Sequence, residues 1–440
     1  MDSEQIVKAK EFEEKSMWVE AAHQYHEALL VNNTKEIREK VAWCFSRAGQ
    51  YDEAVKHLEV LFSSEPQIAK WPYMIGYQYY CKQNWAKAVE WYEKSLEIKP
   101  EYLIVKYRLA YALVQLAGKY KQLTKAEYWK ALGHLKDCHR LWDKYSKDKQ
   151  QKENNTYFSI NFLHGKILMD LPDSRTKAVT FFQKALQIKP DDMSTRYNLA
   201  KTYYFLGEYT KAKEYIPSSS QYYIVELNAY IGAKLGDYSS AISQIKQLLQ
   251  RREKDYLYNF LAEIYLTTND LDNAFFMSKQ AITHGPNNHK NYYTAARIYY
   301  EFGLLSKAIS TLEIAIQLKE KRYGSVFIEC KSLKDEIISK ITPDYCDDIE
   351  LLDRLTNTID SNKNQGSQQG NICKYNSSKG FGFIQHNGKD IFFHISNCKF
   401  RDIVVGDGVV FRTESTAKGI NAIDIKRISH ANVEHSSSNH

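Results

Sequence analysis

Two short runs near the carboxyl end of the sequence hold its most distinctive side chains. Phe381 and Phe383 fall in KGFGFI (Lys379–Ile384), and Phe392 and His394 fall in DIFFHIS (Asp390–Ser396). Residues two apart on a strand share a face, so two neighbouring strands would set three phenylalanines and a histidine side by side. Rings held outward on a sheet suit a flat partner, and unpaired nucleobases are the commonest one. Each base stacked on an aromatic ring is worth about 1–3 kcal/mol, so this cluster predicts useful but modest affinity. Ile384 and Phe393 alternate inward as core. Gly380 and Gly382 are expected to leave the sheet surface open beside the rings.

No second chemistry competes with this one. The chain holds no Gly-rich phosphate loop, no H-E-x-x-H, no G-x-S-x-G and no paired carboxylates in a recognisable setting. Cys138 and His139 are adjacent, which on a helix points them about 100° apart and unsuits them as a nucleophile and base. We therefore expect no catalytic residues, no cofactor and no enzyme. The seven cysteines are scattered, odd in number and without a C-x-x-C pair, which speaks for reduced thiols in a cytosol and against a disulfide framework or zinc site. The histidines of the final HANVEHSSSNH are too loosely spaced to hold a metal. No apolar run approaches the roughly 20 residues that cross a bilayer, and the charged N-terminus lacks the features of a secretory signal. The formal charge of +7 is mild, with nine Lys/Arg against six Asp/Glu in 370–440, and permits phosphate attraction without demanding it.

The two runs need strands to carry them. Period-two alternation and the turn signals Asn387-Gly388 and Gly406-Asp407-Gly408 predict five short strands near 370–375, 380–385, 389–394, 408–413 and 419–427. Five strands in about 60 residues suggest a small closed barrel. A polar, Gly/Ser/Gln-rich stretch at 357–369 precedes it as a flexible linker, and 429–440 reads as a disordered tail. Upstream the period changes. Alanines recur 34 residues apart, at Ala54 and Ala88, Ala178 and Ala212, Ala274 and Ala308. Each unit shows two apolar-periodic stretches of about 12 residues, long enough for three helical turns. Gly or Asn marks the turn between them (Gly49, Asn84, Gly207, Gly236, Asn269), and proline closes the second helix at Pro66, Pro100, Pro190 and Pro286. Such hairpins bury their apolar faces only by stacking. Residues 1–320 thus read as about nine helical hairpins. The pattern loosens at 102–152 and after Ala212, where Pro217 cuts a helix short. Residues 321–356 read as capping helices with an acidic end.

The repeat resembles the tetratricopeptide family, and the C-terminal segment resembles a cold-shock domain, a variant of the oligonucleotide-binding barrel. GNICKYNSSKGFGFI is similar to that family's first two strands, DIFFHIS to its third, and the AKGINA element at Ala417–Ala422 follows in order. Together these imply a mainly α fold: a right-handed α-solenoid of helical hairpins, then a five-stranded antiparallel β-barrel. The resemblance assigns a nucleic-acid face to Tyr375, Lys379, Phe381, Phe383, Phe392 and His394, with Lys418 from the late element. Two positions depart from the family. Lys374 stands where the family usually has tryptophan, and Ile395 stands where it usually has a further aromatic. Both shrink the stacking platform, and Lys374 offers a phosphate contact instead.

Tetratricopeptide arrays grip partner segments on a concave face reached from positions 2, 5, 9 and 12 of each unit. Here that face carries Tyr73, Tyr77 and Tyr80, then Tyr197, Lys201 and Tyr204, then Tyr293, Arg297 and Tyr300. A tyrosine groove with occasional cations suits an extended peptide, or single-stranded nucleic acid running along it; inter-helix packing is the alternative use of the same rings. The resemblance implies a non-enzymatic adaptor in a bacterial cytoplasm, holding single-stranded RNA or DNA in the barrel and a protein segment in the groove. A structural assembly scaffold, for the envelope or a defence system, is the competing class.

Overall fold

The computed structural model describes residues 4–119, 124–342, 345–348, 351, 368–377, 380–400, 402–416 and 419–428. The chain divides into two compact units, 1–244 and 245–440. The first unit is helical: α1 (Glu4–Glu14), α2 (Trp18–Val31), α3 (Lys35–Arg47), α4 (Tyr51–Ser64), α5 (Lys70–Cys81), α6 (Trp85–Ile98), α7 (Leu103–Lys119), α8 (Thr124–Asp143), α9 (Lys147–Lys152), α10 (Asn154–Met169), α11 (Arg175–Ile188), α12 (Met193–Phe205), α13 (Tyr209–Tyr215) and α14 (Tyr222–Lys234), with α15 (Tyr238–Arg251) containing the division. The second unit holds α16 (Asp255–Thr267), α17 (Leu271–His284), α18 (His289–Glu301), α19 (Leu305–Tyr323) and α20 (Ile328–Lys340), followed by five strands. Among the described residues no helix is long and apolar enough to cross a membrane.

The six alanines of the 34-residue spacing are fully buried, because a larger side chain there would push paired helices apart. Asn84 and Asp270 cap the second helices α6 and α17. Asn84 accepts from the Lys87 N–H at 3.3 Å. Asn84 lies in the turn between α5 and α6 as its type suggests, and the left-handed residue there is Gln83 (φ 55°). Asn84 is needed one step later as the cap, so the strained conformation falls to its neighbour. The irregular regions lie where the pattern loosened. α7 and α8 are long, at 17 and 20 residues, and α13 ends after seven, where Ile216 turns extended before Pro217. The acidic segment after α20 has a structural role beyond polarity. Asp347 accepts from the Ser306 and Lys307 N–H groups, both at 2.9 Å, capping α19.

The barrel comprises β1 (Gln368–Asn376), β2 (Phe381–His386), β3 (Lys389–His394), β4 (Gly408–Thr416) and β5 (Gly419–Arg427), closed in the order β1-β2-β3-β5-β4. β1 takes in Gln368 and Gln369, which composition had placed in the linker, because they pair with Phe411 and Val410. Four pairings are antiparallel, while β3 and β5 run parallel. An odd number of strands cannot alternate direction all the way round a ring, so one like-directed seam is unavoidable. Ile372, Ile384, Phe393, Val409, Phe411, Ala422 and Ile425 fill the interior.

Candidate nucleic-acid interface

The register of β1, β2 and β3 decides which side chains share the outer face. Phe381 lies opposite His394 and Asn376, and Phe383 lies opposite Phe392 and Lys374. Residues directly opposite one another point the same way, so these six form one patch. Phe392 is its centre, with ring centroids 5.7 Å from Phe381 and 5.8 Å from Phe383. The three rings are half-buried and His394 is exposed. The Ser396 backbone N–H donates to His394 Nδ1 at 3.3 Å, which in the neutral ring leaves the proton on Nε2 as a donor. The Ile395 N–H donates to the Gly380 carbonyl at 2.8 Å and fixes the end of β3 against the start of β2.

Tyr375 does not join the patch. It lies opposite Gly382 on the inner face, and its ring stacks on core Phe393 at 6.1 Å and 7°. The cause is a register shift between Ile372 and Lys374. Ile372 points inward, the extra residue Cys373 is taken up in a bulge, and parity then reverses. Lys374 faces out and Tyr375 in. Gly382 also serves the interior rather than the surface. A Cβ there would stand 2.3 Å from the Lys374 carbonyl oxygen and 2.7 Å from the Phe393 ring, so only glycine admits both. Lys374 is exposed, and its ammonium lies 3.3 Å from Asp390 Oδ2, so an acceptor already faces the cation offered to phosphate. Lys379 and Lys418 lie outside the described residues.

The groove residues divide by what covers them. Tyr73 packs between Tyr92 and Tyr102, and Tyr80 between Trp85 and Tyr111. Tyr77 stacks on Tyr80 under the Arg108 guanidinium, 4.4 Å from the ring centre. Tyr293 meets Phe327 at 5.2 Å and the Arg297 guanidinium at 5.9 Å. The Tyr300 hydroxyl donates to Glu336 of α20 at 2.9 Å and contacts Lys340. In this last hairpin α20 thus covers Tyr300. By contrast Tyr197, Lys201 and Tyr204 line a cavity of about 230 Å³. Two residues on these surfaces had no local sequence signal. Asn421 lies opposite Phe392 across the parallel seam, and Glu226 faces the cavity from α14.

Comparison with known proteins supports the two-part reading. The family model of the 'Cold-shock' DNA-binding domain matches residues 368–428, and tetratricopeptide repeat models match 42–102 and 194–216. Cold shock protein CspC of Bacillus subtilis is 36% identical over 64 residues, which are 14% of this chain and 97% of that protein. This chain belongs to the tetratricopeptide-repeat proteins that carry a cold-shock domain. Within the repeats it is 26% identical over 156 residues to superkiller complex protein 3 of Homo sapiens, covering 33% of this chain and spanning only 9% of that relative's length. A tetratricopeptide repeat protein structure from Parabacteroides merdae aligns at 15% identity and TM-score 0.37, over 67% of this chain and 97% of that one. In this cold-shock domain the outer face keeps three rings, with Lys374 and Ile395 at the two departures. Among the described residues no three His, Cys, Asp or Glu side chains converge to hold a metal.

Proposed function

We propose that the protein is a non-enzymatic adaptor whose cold-shock domain holds single-stranded RNA or DNA while its helical repeats dock a segment of a protein partner. The supporting observation is the contiguous outer cluster of Phe381, Phe383 and Phe392 beside exposed His394. Successive bases stack on such rings without strict sequence demand, and the His394 Nε2 proton can donate to a base edge or phosphate. Cytoplasm is the setting this reading favours, in keeping with seven free cysteines. Fluorescence anisotropy with a labelled single-stranded oligonucleotide tests it on the full chain. Phe383→Ala and Phe392→Ala should each cost about 1–3 kcal/mol, a loss of roughly 5- to 150-fold in affinity. Unchanged affinity in both variants would remove the barrel from the account.

A further inference from the structure

The cavity between α12 and α14 has a symmetrical lining that the repeat pattern does not require. α12 carries Tyr197, Lys201 and Tyr204, spaced four and three residues apart; α14 carries Tyr223, Glu226 and Tyr230, spaced three and four apart. Both spacings keep each trio on one helix face. Tyr197 meets Tyr223 at 4.9 Å at one end, and Tyr204 meets Tyr230 at 6.4 Å at the other. Lys201 and Glu226 line the middle from opposite helices. Lys201 rests 5.6 Å from the Phe205 ring centre. Glu226 accepts the Tyr230 hydroxyl at 3.1 Å. The void of about 230 Å³ is smaller than the roughly 300–1,000 Å³ of sites for drug-sized ligands, and of a size for one side chain.

We propose that this cavity receives the planar amide of a glutamine or asparagine side chain, carried by an extended segment of the protein partner. The proposal rests on the reading that the repeats dock a protein. An amide has an acceptor and two donors on one flat group, so its oxygen takes a proton from Lys201 while its NH2 gives one to Glu226. Its methylenes lie against the tyrosine rings. A cationic side chain would meet Lys201 and an anionic one Glu226. An aliphatic side chain would desolvate both charges and answer neither. A nucleic-acid strand fits less well, because the Glu226 carboxylate in the lining would repel its phosphates.

Random dodecapeptides displayed on phage and panned on the full chain test the proposal. Enriched sequences should share Gln or Asn at one position. A synthetic peptide of that sequence should lose roughly 10-fold or more in affinity on Gln→Leu, and the same on Glu226→Gln in the protein. Lys201→Met should admit peptides with Lys at that position. Circular dichroism confirms that both protein variants keep their helices. Enrichment of a charged residue there, or binding peptides with no fixed residue, overturns the amide site while leaving protein docking intact. No enriched peptide at all overturns the docking reading itself. If Glu226→Gln instead weakens binding of a single-stranded 12-mer RNA, the cavity is a base site and the proposal is wrong.

Discussion

Phe392 touches both other rings of the outer patch, so one residue in the middle of β3 joins β2's two phenylalanines into a continuous surface. Lys374 stands at the rim of that surface, opposite Phe383, with Asp390 already beside it. An exposed pair of this kind is worth only about 0–1 kcal/mol, so an arriving phosphate can exchange for the carboxylate. Asp390→Asn should therefore tighten oligonucleotide binding and steepen its salt dependence, by about 0.7 in the log–log slope if one more phosphate is engaged. Titration at several salt concentrations measures this, and an unchanged slope would mean that Lys374 points at no phosphate. The three rings were legible in the sequence because period-two spacing alone puts them on one face. Tyr375 was not, since a one-residue bulge at Cys373 reverses parity without any local signature. Gly382 misleads for a related reason: its neighbours are outward rings, but its own missing side chain makes room for an inward one.

At the level of elements, the hairpin repeat was readable from 34-residue spacing, and capping side chains mark the starts of α3, α6, α12, α17 and α18. Which turn residue takes the left-handed conformation was harder, since Gln83 and Asn84 compete for two roles. A non-glycine residue at positive φ is held there at a cost of about 1–2 kcal/mol. Gln83→Gly should raise the urea midpoint, with a gain of up to about 1 kcal/mol after the glycine's extra unfolded-state entropy is subtracted. The covering of Tyr300 by α20 was invisible for another reason: the contact joins residues about 36 apart with no shared pattern. Helices α8 and α10 add a pH dependence. His139 Nε2 lies 3.1 Å from His164 Nδ1, and His139 Nδ1 lies 3.2 Å from the Tyr157 hydroxyl. Burial pushes His164 down to about 3, with His139 adding to the effect, and burial pushes His139 down to about 4. Both are neutral in the fold. Above about pH 6.5 the unfolded chain is neutral there too, and nothing changes. Below it the unfolded state gains protons that the native state refuses, so stability is lost from about pH 6.5 down toward 4. Urea midpoints at pH 7.5, 5.5 and 4.5 should fall in that order, and less steeply in a His139→Gln, His164→Gln variant.

The whole molecule joins two kinds of core. Helical repeats draw stability from neighbour on neighbour, while the barrel closes around its own interior of Ile372, Ile384, Phe393 and Phe411. Calorimetry of the full chain should accordingly show more than one transition. Saturating single-stranded oligonucleotide should raise the barrel's transition alone, by about 2.7 kcal/mol of stabilisation at 100 times the dissociation constant. A uniform shift of all transitions would place the ligand elsewhere. The closed ring also bears on self-association of the chain. Its five strands close into a ring, with β1 claimed by both β2 and β4, and the shortest seam is the two-residue pairing of β3 with β5. Closure of the ring thereby limits strand-to-strand joining between copies of the chain.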